Sequence, residues 1–184
     1  MHQNKVALVT GANKGIGLAI ASQLAAKGLT VLVGARDAAR GEAAVQSIAG
    51  DARAWSLDVT SADSIAAAFN RIERELGRLD VLVNNAGIAT FGAPSQTRIE
   101  DVRAVFETNV LGVIAVTQAM LPLLLEAPAG RIVNVSTRLA SIAAITAPTF
   151  PMRGIGGVAY GPSKSALNAV TVAFAQELEG TRIK

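Results

Sequence analysis

The stretch "VALVTGANKGIGLAIA", residues 6–21, decides how this chain folds. Val6 to Thr10 is an unbroken run of apolar and small residues, the pattern of a strand buried on both faces. Glycines follow at positions 11, 15 and 17, and from there the period changes. Ile16, Ile20 and Leu24 lie on one helical stripe, and Gly28 supplies the stop. Gly11 permits a tight turn, Gly15 lets the backbone approach a phosphate, and Gly17 lets the helix pack close to the sheet. The helix then offers free N–H groups and a partial positive charge to a pyrophosphate. The spacing is G-x-x-x-G-x-G rather than G-x-G-x-x-G, so the generic fingerprint is not met. Plain turn chemistry is the alternative, and the strand–loop–helix context favours nucleotide binding.

Short apolar runs recur beyond this point, at 31–35, 54–59, 81–87 and 131–136. Helical patterns separate them. One starts at Asp37, a candidate N-cap, and spans 37–49; another opens at Thr60 or Ser61 and runs to about Leu76. A long one covers 98–126, with Pro122 as a kink or break, and the last covers 159–179. Alternating strands and helices imply a parallel sheet with helices on both faces. No linker, low-complexity segment or repeat interrupts the pattern, so a single domain is expected over residues 1–184.

The composition excludes several classes. Half the residues, 51%, are hydrophobic and 17% are charged, enough apolar side chain for a sizeable core. Basic residues number 17 and acidic residues 14, with no basic run, which makes nucleic acid a poor partner. The chain has no cysteine, hence no disulfide framework and no thiolate metal site. Its one histidine, His2, sits at the start of the chain, and no metal is expected. The opening residues lack the pattern of a signal peptide. The richest apolar run, Val110 to Leu125, is broken by Gly112, Thr117, Gln118 and Pro122, so no membrane span is expected. The expectation from these features is a cytoplasmic protein.

Two further places carry chemistry. The second run ends in Ala35, Arg36 and Asp37. An acid at this strand end would grip a ribose 2′-hydroxyl, whereas an arginine accommodates a 2′-phosphate. Arg36, with Lys14 in the glycine loop, points to NADP(H); a solvated arginine beside an N-cap is the other reading. Tyr160, the single tyrosine, stands four residues before Lys164, on one helix face. A free phenol titrates near ~10, and a neighbouring ammonium favours the phenolate. The pair therefore makes a proton donor for a carbonyl oxygen. Y-x-x-x-K also arises by chance on surface helices, so the pair alone is weak.

Taken together, "TGANKGIG", "LDVT", "NNAG", "TNV", "RIVNVST" and "YGPSK" resemble the short-chain dehydrogenase/reductase family, in order and spacing, from residue 5 to 184. The likeness is strongest to NADPH-dependent carbonyl reductases. It implies a Rossmann-type doubly wound parallel sheet, strand order 3-2-1-4-5 within these residues, with the family's C-terminal strands 6 and 7 expected to lie outside them. It implies that Gly11, Lys14, Gly15, Ile16 and Gly17 hold the pyrophosphate end of the cofactor. Arg36 would meet the 2′-phosphate, and Asp58 with Val59 would border the adenine. Asn85, Ala86 and Gly87 would support the central sheet and the cofactor ribose. Asn109 would hold a water in a proton relay, Tyr160 would be the acid/base, and Lys164 would lower its pKa and bind the nicotinamide ribose. The implied reaction is hydride transfer between the nicotinamide and a ketone, aldehyde or secondary alcohol.

Two departures from the family pattern stand out. Where the family has two serines, this chain reads Ser136-Thr137, so Thr137 takes the place of the hydroxyl that polarises the substrate carbonyl. Its hydroxyl can donate the same hydrogen bond, with Ser136 and Ser141 as alternatives. From Thr137 to Tyr160 there are 23 positions, longer than the common pattern. The extra segment is apolar, carries few charges besides Arg138 and Arg153, and is either a mobile wall of the substrate site or a passive surface loop. The expected substrate is a small to medium, largely apolar carbonyl or alcohol. Apolar residues nearly all round the helices at 110–125 and 163–175 point to a homo-oligomer. The closing "TRIK" looks like the approach to a sixth strand, so a longer polypeptide is expected. A weakly active or inactive dinucleotide-binding regulator or scaffold with the same fold is the competing reading.

Overall fold

The computed structural model describes residues 5–152, 154, 155 and 157–184. His2 and Arg153 lie outside them. Five strands form the sheet: β1 (Val6–Thr10), β2 (Thr30–Ala35), β3 (Ala52–Ser56), β4 (Val81–Asn84) and β5 (Arg131–Asn134). All pair in parallel, in the order β3-β2-β1-β4-β5. The helices are α1 (Gly15–Ala26), α2 (Ala38–Gln46), α3 (Ala62–Leu76), α4 (Ile99–Phe106), α5 (Gly112–Glu126), α6 (Ile142–Thr146) and α7 (Tyr160–Glu177).

β1 shows why the sheet is covered on both sides. Its residues alternate between two cores, with Val6 and Leu8 in one and Ala7 and Val9 in the other. The first core takes Ile65 and Ile72 of α3 and Val116, Met120 and Leu124 of α5. The second takes Ala21 and Ala25 of α1 and Ala44 of α2, small residues that bring those helices close to the strands. Trp55 on the outer strand β3 is buried, donates Nε1–H to the Ala68 carbonyl at 3.3 Å, and lies beneath the Arg71 guanidinium at 3.8 Å.

The long helical stretch runs Ile99–Glu126, as the 98–126 pattern predicts, and differs only at the proline. Pro122 does not break it, because α5 continues through the proline to Glu126. Inward-facing Val116, Met120, Leu123 and Leu124 are all buried and hold both sides of the proline against the sheet. The stretch Ile99–Glu126, 28 residues with mean hydropathy 1.7 in its most apolar window, is by length and composition long and apolar enough to cross a membrane. Its packing against α3, β4 and β5 makes it a core helix.

At the N-terminal edge of the sheet, Asp80 is 2% exposed and ties three strands together. Its side chain accepts Val6 N–H at 2.8 Å, while its main chain donates to the Val6 carbonyl and accepts Arg131 N–H. Arg78 satisfies the remaining charge with bonds of 2.9 and 2.6 Å. At the opposite end, Asn84 donates to Thr117 Oγ1 and Asn134 Oδ1, linking β4 to α5 and β5. On the free side of β5, Ile132 N–H donates to the Lys184 carbonyl and Lys184 N–H to that of Gly130, both at 3.0 Å.

Replacing Asp80 by alanine leaves Val6 N–H buried without its acceptor and Arg78 without its partner. We expect Asp80→Ala to lower the unfolding free energy by about 2–3 kcal/mol, read from urea midpoints. A loss within about 0.5 kcal/mol, the range of ordinary surface substitutions, would mean that Asp80 does not tie the strands.

Candidate active site

The chain reverses its winding direction between β1 and β4, and the carboxyl ends of these strands open onto a cleft of about 550 Å³. The glycine loop forms its floor. Gly11 has φ +63°, and a Cβ there would stand 2.8 Å from the Cα of Ala86. Gly17 is packed harder still, with a Cβ falling 2.4 Å from Asn85 Nδ2 and 2.7 Å from the Gly11 carbonyl. Gly15, at φ +58°, faces open space. The first and third glycines thus allow main-chain packing, and the middle one leaves room for a group to approach the backbone. Behind the loop, Thr10 Oγ1 accepts the N–H groups of Asn85 and Ala86 at 3.0 and 2.9 Å. Asn85 Nδ2 donates to the carbonyls of Thr10 and Gly11. The first turn of α1 carries no acidic side chain, and Lys14 precedes it, so its N-terminus stays electropositive.

At the far end of the cleft β2 delivers Arg36. Asp37 caps α2 by accepting Arg40 N–H at 3.1 Å and pairs with Arg40 Nε at 3.3 Å. Asp58 accepts Thr60 N–H at 2.9 Å and Thr60 O–H at 2.7 Å. These bonds hold its carboxyl below the ordinary carboxylate range, with Arg36 adding attraction. Asp58 and Val59 both line the cleft, together with Arg40 and Thr60, which the motif reading did not single out. Arg40 had a signal: it stands in the first turn of the helix that Asp37 caps, directly after the strand end that carries Arg36.

Tyr160 and Lys164 lie at the other end, on the first turns of α7, with Ile88 and Val135 beside them. Lys164 is 4% exposed and donates to the Val135 carbonyl at 2.7 Å. Burial pushes its ammonium below the ordinary value. Asn109 is fully buried inside a π-helical turn, Glu107–Leu111, between α4 and α5. Its Oδ1 accepts Ile88 N–H, and its Nδ2 donates to the Ile88 carbonyl and to Ser163 Oγ. Ser163 donates to the Tyr160 carbonyl at 2.7 Å, so one buried chain of bonds joins Asn109 to the tyrosine's own turn. Gly87 sits between them, its Cβ position 3.1 Å from Asn109 Oδ1 and 3.7 Å from Lys164 Nζ.

The cleft stops short of the three candidate hydroxyls. Ser136 donates its proton to Asn168 Oδ1 at 2.7 Å. Thr137 Oγ1 accepts Leu139 N–H at 3.3 Å, and Ser141 Oγ accepts Ala144 N–H at the start of α6. Neither O–H donates to another of the described residues. The segment from 138 onwards holds a 3₁₀ turn at Arg138–Ala140 and α6, and buries Leu139, Ala140 and Phe150. It is anchored to α7, where Ser165 O–H donates to the Ala140 carbonyl at 2.8 Å.

A doubly wound sheet with a glycine-floored cleft at its switch point, and a buried lysine one turn after a tyrosine, defines a nucleotide-binding α/β protein. Residues 5–184 match the family model for short chain dehydrogenases, and the chain belongs to that family of oxidoreductases, which bind a nicotinamide dinucleotide. The short-chain dehydrogenase anuI of Penicillium roqueforti is 39% identical over 185 residues, covering 96% of this chain and 73% of the relative. A short-chain dehydrogenase/reductase of Aspergillus fumigatus is 37% identical over 191 residues, covering 98% and 71%. Among solved structures, a metagenomic short-chain oxidoreductase in complex with NADP superimposes with a TM-score of 0.86 at 32% identity, covering 99% of this chain and 80% of its own.

The buried Lys164 makes a pH-dependent prediction. Its folded pKa lies below the ordinary 10.5, so between the two values the unfolded chain binds the extra proton and stability rises with pH. Lys164→Met has no such proton. The difference in urea midpoint between wild type and Lys164→Met should therefore move in favour of wild type as pH rises from neutral towards 10.5. A difference that stays flat with pH contradicts the burial of a charged lysine.

Proposed function

We propose that the protein is an NADP(H)-dependent carbonyl reductase, run reversibly as an alcohol dehydrogenase, with Tyr160 as its acid/base. The observation that carries this is the single cleft running from Arg36 past the glycine loop to Tyr160 and Lys164. The cradle fits a dinucleotide. Gly15 leaves open space above the electropositive start of α1, and Lys164 is a buried cation facing the other end. Gly11, Lys14, Gly15, Ile16 and Gly17 would hold the pyrophosphate, and Asp58 with Val59 the adenine. Asn85, Ala86 and Gly87 shape the middle of the cleft.

When bound, the nicotinamide supplies or accepts the hydride at the carbonyl carbon. Tyr160 donates its phenolic proton to the carbonyl oxygen. Lys164, held by Val135, keeps two further N–H groups for the nicotinamide ribose and stabilises the phenolate that remains. Asn109, fixed by Ile88 and Ser163, keeps the second lone pair of its Oδ1 for a water of the proton relay. Thr137 donates its O–H to the oxygen on which charge develops. A regulator that binds the dinucleotide without turnover is the second reading, and the threonine at 137 in place of the family's serine favours it. The reading extends to a homo-oligomer, supported by the exposed apolar side chains Leu111, Leu125 and Val172 on the helical faces.

Arg36 and Lys14, with no acid at position 35, lead us to expect NADPH to bind tighter than NADH. A charge-assisted arginine–phosphate contact contributes about 1.5–3 kcal/mol, or roughly ten- to hundred-fold in affinity, and Arg36→Ala should erase most of it. Fluorescence titration that finds NADH the tighter ligand would refute the assignment.

Tyr160→Phe should lower kcat for ketone reduction by about 10²–10⁴-fold with NADPH affinity nearly unchanged. Thr137→Ala should cost about 10²–10³ in rate, more than Ser136→Ala, whose proton is already given to Asn168. Near-wild-type turnover by Tyr160→Phe would make the tyrosine structural.

A further inference from the structure

We infer that Phe91, with Ile155 and Val158, forms an apolar specificity wall beside Tyr160, and that the wall selects carbonyl substrates bearing a bulky apolar group such as a phenyl ring. The inference rests on the carbonyl-reductase reading and names its substrate class.

Phe91 is one of five phenylalanines and is 50% exposed, unusual for a ring of that size. It is not stranded on an outer surface. Its centroid lies 5.5 Å from that of Tyr160, the planes inclined at 65°, an edge-to-face contact with the ring that carries the reacting phenol. One edge of Phe91 thus positions Tyr160 while the rest of the ring stays open. The apolar surface continues to either side. Ile88, on the same connection from β4, lines the cleft and is itself 41% exposed. On the other side the chain turns at Gly92 against the long segment. A Cβ at Gly157, whose φ is +57°, would stand only 3.0 Å from the Gly92 carbonyl. The residues that flank this contact on the segment, Ile155 and Val158, are exposed as well.

Arg138, the one cation of this segment among the described residues, is turned onto the Phe150 ring, 5.5 Å from its centroid. A polar or anionic substrate group therefore finds no preformed charged partner among the described residues of the wall. An apolar group bonded to the reacting carbon would cover Phe91 and remove both surfaces from water. A flat aromatic group would add the ring–ring contact.

Binding can be measured without turnover, because an alcohol and NADPH together cannot react. The NADPH-loaded protein is titrated calorimetrically with 1-phenylethanol and with 2-butanol, in wild type, Phe91→Ala and Phe91→Leu. We expect wild type to bind 1-phenylethanol at least about ten-fold tighter than 2-butanol, from the area buried and the ring contact. Phe91→Ala should lose most of that ratio, Phe91→Leu should keep part of it, and NADPH affinity should hold in both. Equal loss for the two alcohols, or no change in the ratio, overturns the inference. A direct NADPH titration separates the two levels: if the cofactor does not bind wild type, the reductase reading falls and the wall falls with it. If the ratio behaves as expected but no ketone is reduced, the wall stands and the catalytic assignment is wrong.

Discussion

The whole arrangement depends on a knot of hydrogen bonds between the ends of β1 and β4. Thr10 accepts two main-chain N–H groups from the Asn85–Ala86 turn, and Asn85 returns its amide to the carbonyls of Thr10 and Gly11. These bonds saturate the polar groups at the point where the sheet changes direction, which lets that point be buried. They also fix how near α1 approaches the sheet. Gly17 rests on the Asn85 amide at a distance that no side chain could share. The helix N-terminus then sits at the mouth of the cleft because it has nowhere else to go.

The second end of the cleft is built differently. There a kink in the helical ladder, the π turn of Glu107–Leu111, turns Asn109 inward to meet Ile88 and Ser163. Lys164 is buried on the next helix with a carbonyl as its partner. Holding a lysine in such a place lowers its affinity for a proton and costs stability, the kind of local expense that active sites carry. The sheet edge compensates with fully satisfied ties: Asp80 at one end of β4 and Asn84 at the other. The exposed Phe91 belongs to the same economy, since its ring gains one contact from Tyr160 and leaves the rest for a ligand.

Much of this was legible in the residues. The period change at Gly15 located β1 and α1, and the continuous apolar runs predicted a parallel sheet. Boundaries were less legible where side chains end strands. The run at 81–87 stops as β4 at Asn84, because Asn85 and Ala86 turn to bond Thr10. The run at 54–59 yields β3 at Ala52–Ser56, because Asp58 leaves the ladder to accept Thr60. The break offered at Pro122 does not occur, because the buried Met120, Leu123 and Leu124 hold the helix on both sides of it. Tyr160 and Lys164, named from motifs, line one end of the cleft, and Asn109, also named from a motif, is buried behind them and joined to the turn of Tyr160 through Ser163. Ser163 lay unnoticed inside "YGPSK", and Phe91 gave no periodic signal because it stands in a loop.

The central claim is that this cleft delivers a hydride to a carbonyl carbon while Tyr160 delivers the proton. Incubating the protein with NADPH carrying deuterium at both C4 positions of the nicotinamide and with acetophenone tests this directly, with the alcohol product analysed by mass spectrometry. The account predicts one deuterium on the carbinol carbon of the product. Tight NADPH binding with no deuterated alcohol formed, from acetophenone or from a wider set of ketones and aldehydes, would contradict it.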